Sequence, residues 1–539
     1  MSRTRLLVSA LALSAVLAVT GCSASPGMDE DATITWAIEG ANLSSGHMDP
    51  HASQLDVSAY VMRNVLDSLV AQTPDGEFVP WLAESWEISA DGLQYTFTLR
   101  DDVTFSNGEK LDAAAVKANF DHITAEETAS AQAASMLGGE FYAGTEVVSD
   151  FVVQVNFTQP YAPFLSAAAT AFLGIYAPSV LTESEDVLKA GGPDVSIGSG
   201  PFVLTELVAD QQLTFTRNDD YQWAPEGEGD GPAGFDTLVI SIIPESSVRA
   251  AALGTLEADV ASKLAPNSVS ELASTVTVNA VQTPGVPYST YLNQTNGVFA
   301  DPLVRQAFRL GFDLDAAVDT IFFGQYDRAW SALSPSTPNS YDPSVEGTWE
   351  FDPEAASALL DEAGWTERDA DGFRTKDGVR LSARWIAYTP VSDENAQLAA
   401  AIQADLADIG FEIVHDVLEP GAYMESYTPG TFDLTDWGFA SVDADVLRAH
   451  LGTDGYQNAA HVSDPDVDEL LAQGVATADL DERHAIYSEL QQWNNDNVAI
   501  VPLYVPAFIT ASNEQILGLT FDAYGWPLFY TATTTIVEG

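Results

Sequence analysis

The chain has 539 residues and carries 79 acidic against 20 basic side chains, a formal charge of −59. A field of that sign repels nucleic acid and anionic lipid headgroups, which excludes polyanion-binding classes. Hydrophobic residues make up 46%, enough for substantial cores, and the length points to two or three lobes rather than one simple domain.

Arg3 and Arg5 precede an uncharged apolar run at 6–19, which ends in Thr20, Gly21 and Cys22. This is the layout of a secretory signal, and its apolar part is too short to remain as a spanning helix. Cys22 is the sole cysteine, so no intrachain disulfide is available outside the cell, where an unpaired thiol is a liability unless modified. Val19-Thr20-Gly21-Cys22 resembles the lipobox of bacterial lipoproteins. That resemblance implies a signal peptide at 1–21 and a lipidated Cys22 as the new N-terminus; an ordinary cleaved signal is the other reading. Attachment to the membrane would then run through the acyl chains alone. Residues 22–31 read as a flexible tether ending in Asp29-Glu30-Asp31.

Order is expected from 33–38, where apolar residues alternate as in a strand. Residues 59–69 read as a helix with Val61, Val65, Leu66 and Leu69 on one face. Around Asp91-Gly92, the segments 84–88 and 95–99 alternate with period two, a hairpin signal. Asp112 is placed to cap a helix containing Val116 and Phe120. Gly198-Ser199-Gly200-Pro201-Phe202 leads into a strand pair carrying Leu213 and Phe215, and 238–243 forms a further strand. The glycine-rich stretch 227–234 carries Glu228 and Asp230 and is no phosphate cradle.

Beyond Tyr288, capped helices dominate. Asp301-Pro302, Asp352-Pro353 and Asp464-Pro465 each combine an acceptor for orphan amides with a proline suited to the first helical position. Gly364 reads as a helix stop. Ile402, Leu406 and Ile409 mark another helix, and 411–414 and 500–505 read as strands. Asp369-Ala370-Asp371-Gly372 looks like half a calcium loop but lacks the remaining ligands, and reads as a hairpin turn paired with Asp377-Gly378.

Several motifs occur in a telling order: Leu66-Asp67-Ser68-Leu69, the hairpin from Trp81 to Leu99, and Val103-Thr104-Phe105-Ser106-Asn107-Gly108. Ile197-Gly198-Ser199-Gly200-Pro201-Phe202, Val304-Arg305-Gln306-Ala307-Phe308, Phe351-Asp352-Pro353-Glu354-Ala355-Ala356 and Ser463-Asp464-Pro465-Asp466-Val467-Asp468 follow. Together they resemble the extracytoplasmic solute-binding proteins of peptide and nickel ABC importers, family 5, over essentially the whole mature chain. The resemblance implies an α/β fold of the large two-lobe periplasmic-binding type (type II-like) with an inserted subdomain in lobe I. Lobe I would comprise 32–55, 196–287 and 505–539, the inserted subdomain 56–195, and lobe II 288–504. Such a hinge suits capture, because a ligand touching both lobes favours the closed form.

The resemblance also places candidate contacts at the cleft. Asp436, Trp437 and Phe439 lie on a segment that faces it in similar proteins, and Trp437 has two readings, ligand stacking or interlobe core. Dipeptide binders hold the ligand ammonium with an Asp at the position of Ala440 and its carboxylate with an Arg near Tyr388-Thr389-Pro390. Both are missing here. Asp436, Asp443 or Asp445 could replace the first, and nothing visible replaces the second. Tyr291, Asn293, Trp330, Tyr388 and Tyr423, the last after a Pro420-Gly421 turn, complete the candidates. His47-Met48-Asp49-Pro50-His51 offers metal-ligand types, but Pro50 keeps the two histidines off one helix face, so no metal site is expected and His47 is retained as a possible solute contact through its loop. His450 and His461 match the contact histidine of nickel binders loosely.

The expected function is capture of peptides, oligopeptides or a related small solute for a membrane permease, as an extracytoplasmic, lipid-anchored monomer without cofactor. A nickel or other metal-complex binder on the same fold is the alternative. An extracellular hydrolase is disfavoured by the absence of a Gly-x-Ser-x-Gly elbow and a His-Glu-x-x-His helix.

Overall fold

The computed structural model describes residues 32–529, apart from 41–42, 44–45, 75, 131, 230, 271 and 273–275, together with 534–536. Cys22, the leader at 1–21 and the whole tether at 22–31 lie outside the described residues. No helix among the described residues is long and apolar enough to cross a membrane.

The strand Thr33–Ile38 lies at the middle of a seven-stranded sheet, parallel to Thr237–Ile242 on one side and Val260–Ser262 on the other. Trp36 is fully buried, and its Nε1 donates to Ser262 Oγ at 2.8 Å, which removes the cost of enclosing an indole N–H. Phe202–Val208, Gln212–Arg217, Val276–Gln282 and Ala507–Asn513 complete this sheet.

A six-stranded sheet forms the other lobe, in the order Asp327–Arg328, Ile500–Val505, Gly285–Leu292, Leu434–Ala440, Ser382–Tyr388 and Glu412–Leu418. Its helices begin as their sequences require. Asp301, Asp352 and Asp464 accept from Leu303, Ala355 and Asp466 amides at 3.0, 2.8 and 3.0 Å, each with proline at the first helical position. The Asp369 and Asp371 carboxylates receive Arg380, both at 2.6 Å, so this turn is neutralised by a guanidinium.

The third sheet, antiparallel, contains Ala83–Ile88, Gln94–Leu99, Val152–Phe157 and Tyr142–Ser149. Phe164 meets Tyr95, Phe97, Phe120 and Phe157 edge-to-face at centroid distances of 5.1 to 6.4 Å. These rings belong to the same continuous core as Ile34, Trp36 and Phe215, so the inserted subdomain is fused to lobe I.

One expected helix is shorter than its pattern. Apolar spacing suggests 59–69, but the helix is Asp56–Met62, followed by a turn. The carbonyls of Asn64 and Val65 accept from Phe202 and Gly200, and a Cβ on Gly198 would stand 2.0 Å from the Val65 oxygen. The Gly-Ser-Gly-Pro-Phe segment thus occupies the space that a continuing helix would need.

The chain crosses between the lobes at 283–284 and at Pro506. The crossings run side by side, with the Thr283 amide donating to the Pro506 carbonyl at 2.8 Å. Gly285 follows at φ +102°, where a Cβ would meet the Phe439 oxygen at 2.3 Å. Glycine is needed there so that the hinge strand can lie against the end of Leu434–Ala440.

Candidate functional site

The strand Leu434–Ala440 lies in the interior of the lobe II sheet and ends at the gap between the lobes. Alternation divides its side chains between two faces. Trp437 stacks on Tyr291 (centroids 4.3 Å, 23°), and Phe439 meets His450 edge-on at 5.7 Å. Asp436 points the other way and accepts from Trp385 Nε1 at 2.7 Å and from the Tyr288 hydroxyl. Burial raises its pKa to about 6 despite those bonds.

The gap between the lobes contains a cavity of about 740 Å³. Asp56, Tyr60 and Lys263 come to its wall from lobe I, and Tyr326, Glu394 and Ala440 from lobe II. A second space of about 830 Å³ separates the inserted subdomain from lobe II, with Tyr161, Phe439, Ser441, Arg448 and Tyr456 on its wall. Tyr524 lines both, so residues 439–441 and Tyr524 mark their junction. Volumes of this size suit a small organic ligand, and the walls mix aromatic rings with charged and polar groups such as Glu39, Asp56, Lys263 and Glu394.

Five of the sequence candidates form one aromatic run. Tyr388, half-exposed at its strand end, meets Tyr423 edge-on at 5.5 Å; Tyr423 stacks on Tyr427 at 5.6 Å; Tyr427 meets Trp437 at 6.0 Å. Tyr291 and Phe439 extend it, joined through His450, whose Nδ1 lies 2.9 Å from the Tyr291 hydroxyl. Tyr423 does not follow a free turn: Pro420 opens the helix Pro420–Tyr427, and proline suits that first position.

Within this run Phe439 reaches the wall of the second space, whereas Tyr291 and Tyr423 are buried; the remaining candidates sit apart from it. Asn293 is fully buried, donating to the Gly430 and Phe432 carbonyls, and packs the loop beneath the strand. Trp330 lies under the Arg328 guanidinium, 3.4 Å from its ring centre, and edge-on to Trp349. The His47 carbonyl accepts from the Ser58 hydroxyl, and its residue lines neither cavity. His450 is fully buried, with burial pushing its pKa down to about 3, and His461 lines neither cavity.

The carboxylates that the sequence offers in place of the missing ammonium anchor already have partners. Asp443 receives both Arg483 terminal nitrogens at 2.8 and 2.6 Å and the Ser166 hydroxyl at 3.0 Å. Burial alone would raise its pKa, but Arg483 and these bonds hold it below the ordinary range. Asp445 is gripped by Arg448 at 2.6 Å, and burial nonetheless raises its pKa. On the basic side, Arg249 is spent on the carbonyls of Ile243, Pro244, Ser262 and Lys263, whereas Lys263 pairs with Glu39 at the rim at 2.6 Å.

The reading of motifs missed Tyr524 and Trp526, which stack at 4.4 Å and 11° and line the interlobe cavity from the C-terminal tail. The available signal was an aromatic pair around Gly525, which has φ +81° and packs against Val281. Tyr326 and Tyr504, stacked at 5.6 Å, were missed as wall residues for the same reason: both sit in segments whose local pattern reads only as core.

Comparison with known proteins agrees with this architecture. The chain is 26% identical to the nickel-binding periplasmic protein of Escherichia coli, over 94% of this chain and 95% of that one. It is 28% identical to a probable di/tripeptide-binding protein of Pseudomonas aeruginosa, over 84% and 86% of the two chains. The crystal structure of NikA from Brucella suis in complex with Fe(III)-EDTA superposes with a TM-score of 0.77 at 26% identity, covering 92% of this chain and 98% of that one. Residues 77–458, well over half of the chain, match the family described as bacterial extracellular solute-binding proteins, family 5 Middle. The chain therefore belongs to the family 5 solute-binding proteins of ABC importers.

Proposed function

We propose that this protein is the lipid-anchored capture component of a peptide-type ABC importer, taking up oligopeptides or a related small solute between its lobes. The carrying observation is the cavity of about 740 Å³ lined from both lobes beside a two-strand hinge. A solute touching Tyr60 and Lys263 on one side and Tyr326 and Glu394 on the other gains contacts in the closed form that the open form lacks, and the equilibrium shifts by that difference. The lobe boundaries fall at 283–284 and 506, and the subdomain over 56–195 belongs with lobe I.

The site favours a ligand held by backbone hydrogen bonds and aromatic surface over one gripped at charged termini. Asp443 and Asp445 are in ion pairs with Arg483 and Arg448, Lys263 at the rim is paired with Glu39, and Arg249 is spent on backbone carbonyls. Tyr60, Tyr326, Tyr504, Tyr524 and Trp526 supply that surface in the interlobe cavity, and Phe439 adds to it in the neighbouring space. A metal-complex cargo is the second reading, favoured by the long alignment to a nickel-binding relative. Against it, His450 is enclosed and hydrogen-bonded to Tyr291 rather than presented to the cavity.

Native mass spectrometry of the purified protein tests the cargo. Released masses in the peptide range are expected; a metal-chelate mass in their place would transfer the assignment to the second reading. The anchor is tested by Cys22→Ser, which is expected to move the protein from the membrane fraction to the soluble fraction.

A further inference from the structure

Away from the cleft, the loop after the first strand meets the inserted subdomain, and four chemistry-bearing side chains converge there. Asp49, His51 and His122 are buried, and Glu185 joins them from the helix Glu185–Ala190. One ligand atom from each of Asp49, His122 and Glu185 lies within 4.8 Å of the other two. His51 Nε2 is 2.8 Å from the Gly174 carbonyl, His51 Nδ1 is 3.0 Å from His122 Nδ1, and His122 Nε2 is 3.2 Å from Glu185 Oε1.

Hydrogen-bond chemistry orders this chain of atoms. A carbonyl only accepts, so His51 Nε2 carries a hydrogen and donates to Gly174. With its Nε2–H spent on Gly174 and the ring fully buried, where charge is costly, the neutral form of His51 leaves its Nδ1 bare. His122 Nδ1–H therefore donates to it, and the lone pair of a neutral His122 is left on Nε2, facing Glu185. Asp49 Oδ2 and Glu185 Oε2 are buried and lack a hydrogen bond of ordinary geometry among the described residues, although the Tyr176 hydroxyl interacts with the Asp49 carboxyl and Lys189 Nζ makes a long ion pair with Glu185 Oε2 at 4.0 Å. Acceptors turned toward one another in a buried place are satisfied by a proton or by a metal cation between them, and three ligand types gathered within 4.8 Å suit the second.

We propose that Asp49, His122 Nε2 and Glu185 bind a divalent first-row transition cation of the zinc type, with His51 as a positioning residue. A ligating histidine whose other ring N–H is anchored to a fixed acceptor is the usual arrangement around such ions, and one nitrogen with two carboxylates suits zinc and its neighbours. Bonds of about 2.0–2.2 Å place tetrahedral ligands about 3.4 Å apart, so the site tightens by rotation at Glu185, its half-buried member. The ion would join the lobe I loop to the helices Ala113–Thr124 and Glu185–Ala190, stabilising the fold rather than serving as cargo.

The test is calorimetric titration of the chelator-stripped protein with Zn²⁺ alone near neutral pH. One ion per chain, a raised melting temperature, and at least about tenfold weaker binding by a folded Glu185→Gln variant are expected. Anomalous scattering at the zinc edge from wild-type crystals supplies a readout that no variant's folding affects, with a peak expected among Asp49, His122 and Glu185. Absence of saturable zinc binding, unchanged affinity in folded Glu185→Gln, or a peak elsewhere overturns the proposal and assigns the cation to a proton on His122.

Discussion

At the residue scale, Trp437 sets packing against a proposed role in recognition. Its ring rests on Tyr291, and its buried Nε1 has no hydrogen-bond partner among the described residues, a donor available to a ligand carbonyl. Trp437→Ala is expected to cost about 2 kcal/mol, below the range for a fully buried ring, and to weaken solute binding. Trp437→Phe should restore the melting temperature but not the affinity, and recovery of both would remove the indole N–H from the site. Asp436 makes a pH prediction. A carboxyl raised from 3.8 to about 6 contributes its stability fully below the lower value and loses it as pH climbs through the higher. Asp436→Asn imitates the protonated acid, so its melting temperature should change less between about pH 4 and 6.5 than that of the wild type, in parallel thermal scans. That Trp437 and Asp436 share one strand was legible from their motif. Their opposite orientations were not, because only the pairing of Leu434–Ala440 with Gly285–Leu292 assigns the faces.

Among the elements, those governed by neighbours in sequence were the most legible. The three Asp-Pro helix starts and the Asp91-Gly92 hairpin formed where the residues demand, because a cap or a tight turn is decided within four residues. The helix expected over 59–69 was not, since the carbonyls that end it are claimed by a segment more than 130 positions away. The hinge strand has the same dependence. Gly285→Ala places a Cβ 2.3 Å from the Phe439 oxygen on a backbone with φ +102°, so a loss of about 2 kcal/mol or more is expected in chemical denaturation. A variant as stable as the wild type would mean that this strand end yields without cost, and the hinge would be looser than its packing implies.

Across the whole molecule, closure rests on few direct bonds between the inserted subdomain and lobe II. Ser166 donates to Asp443, the Ala162 amide donates to the Val475 carbonyl at 2.8 Å, and Asn339 donates to the Gly76 carbonyl at 3.1 Å. Ser166→Ala removes a bond to a charged acceptor, worth about 1.5–3 kcal/mol, from the closed form alone. Solute affinity should fall about tenfold, with a larger ligand-free radius of gyration by X-ray scattering; unchanged values of both would show that this bond does not hold the lobes together. The chain's residues by themselves determined the family, the α/β class and the capped starts of its helices, because these follow from local patterns and an ordered series of motifs. Which aromatic rings line the cleft, how Asp443 is held ionised in an ion pair with Arg483, and the meeting of His51 with His122 were decided only by tertiary structure. Those partners lie 40 to 71 positions apart, and a side chain's neighbours across such distances are set by how sheets and lobes pack, which no local pattern encodes.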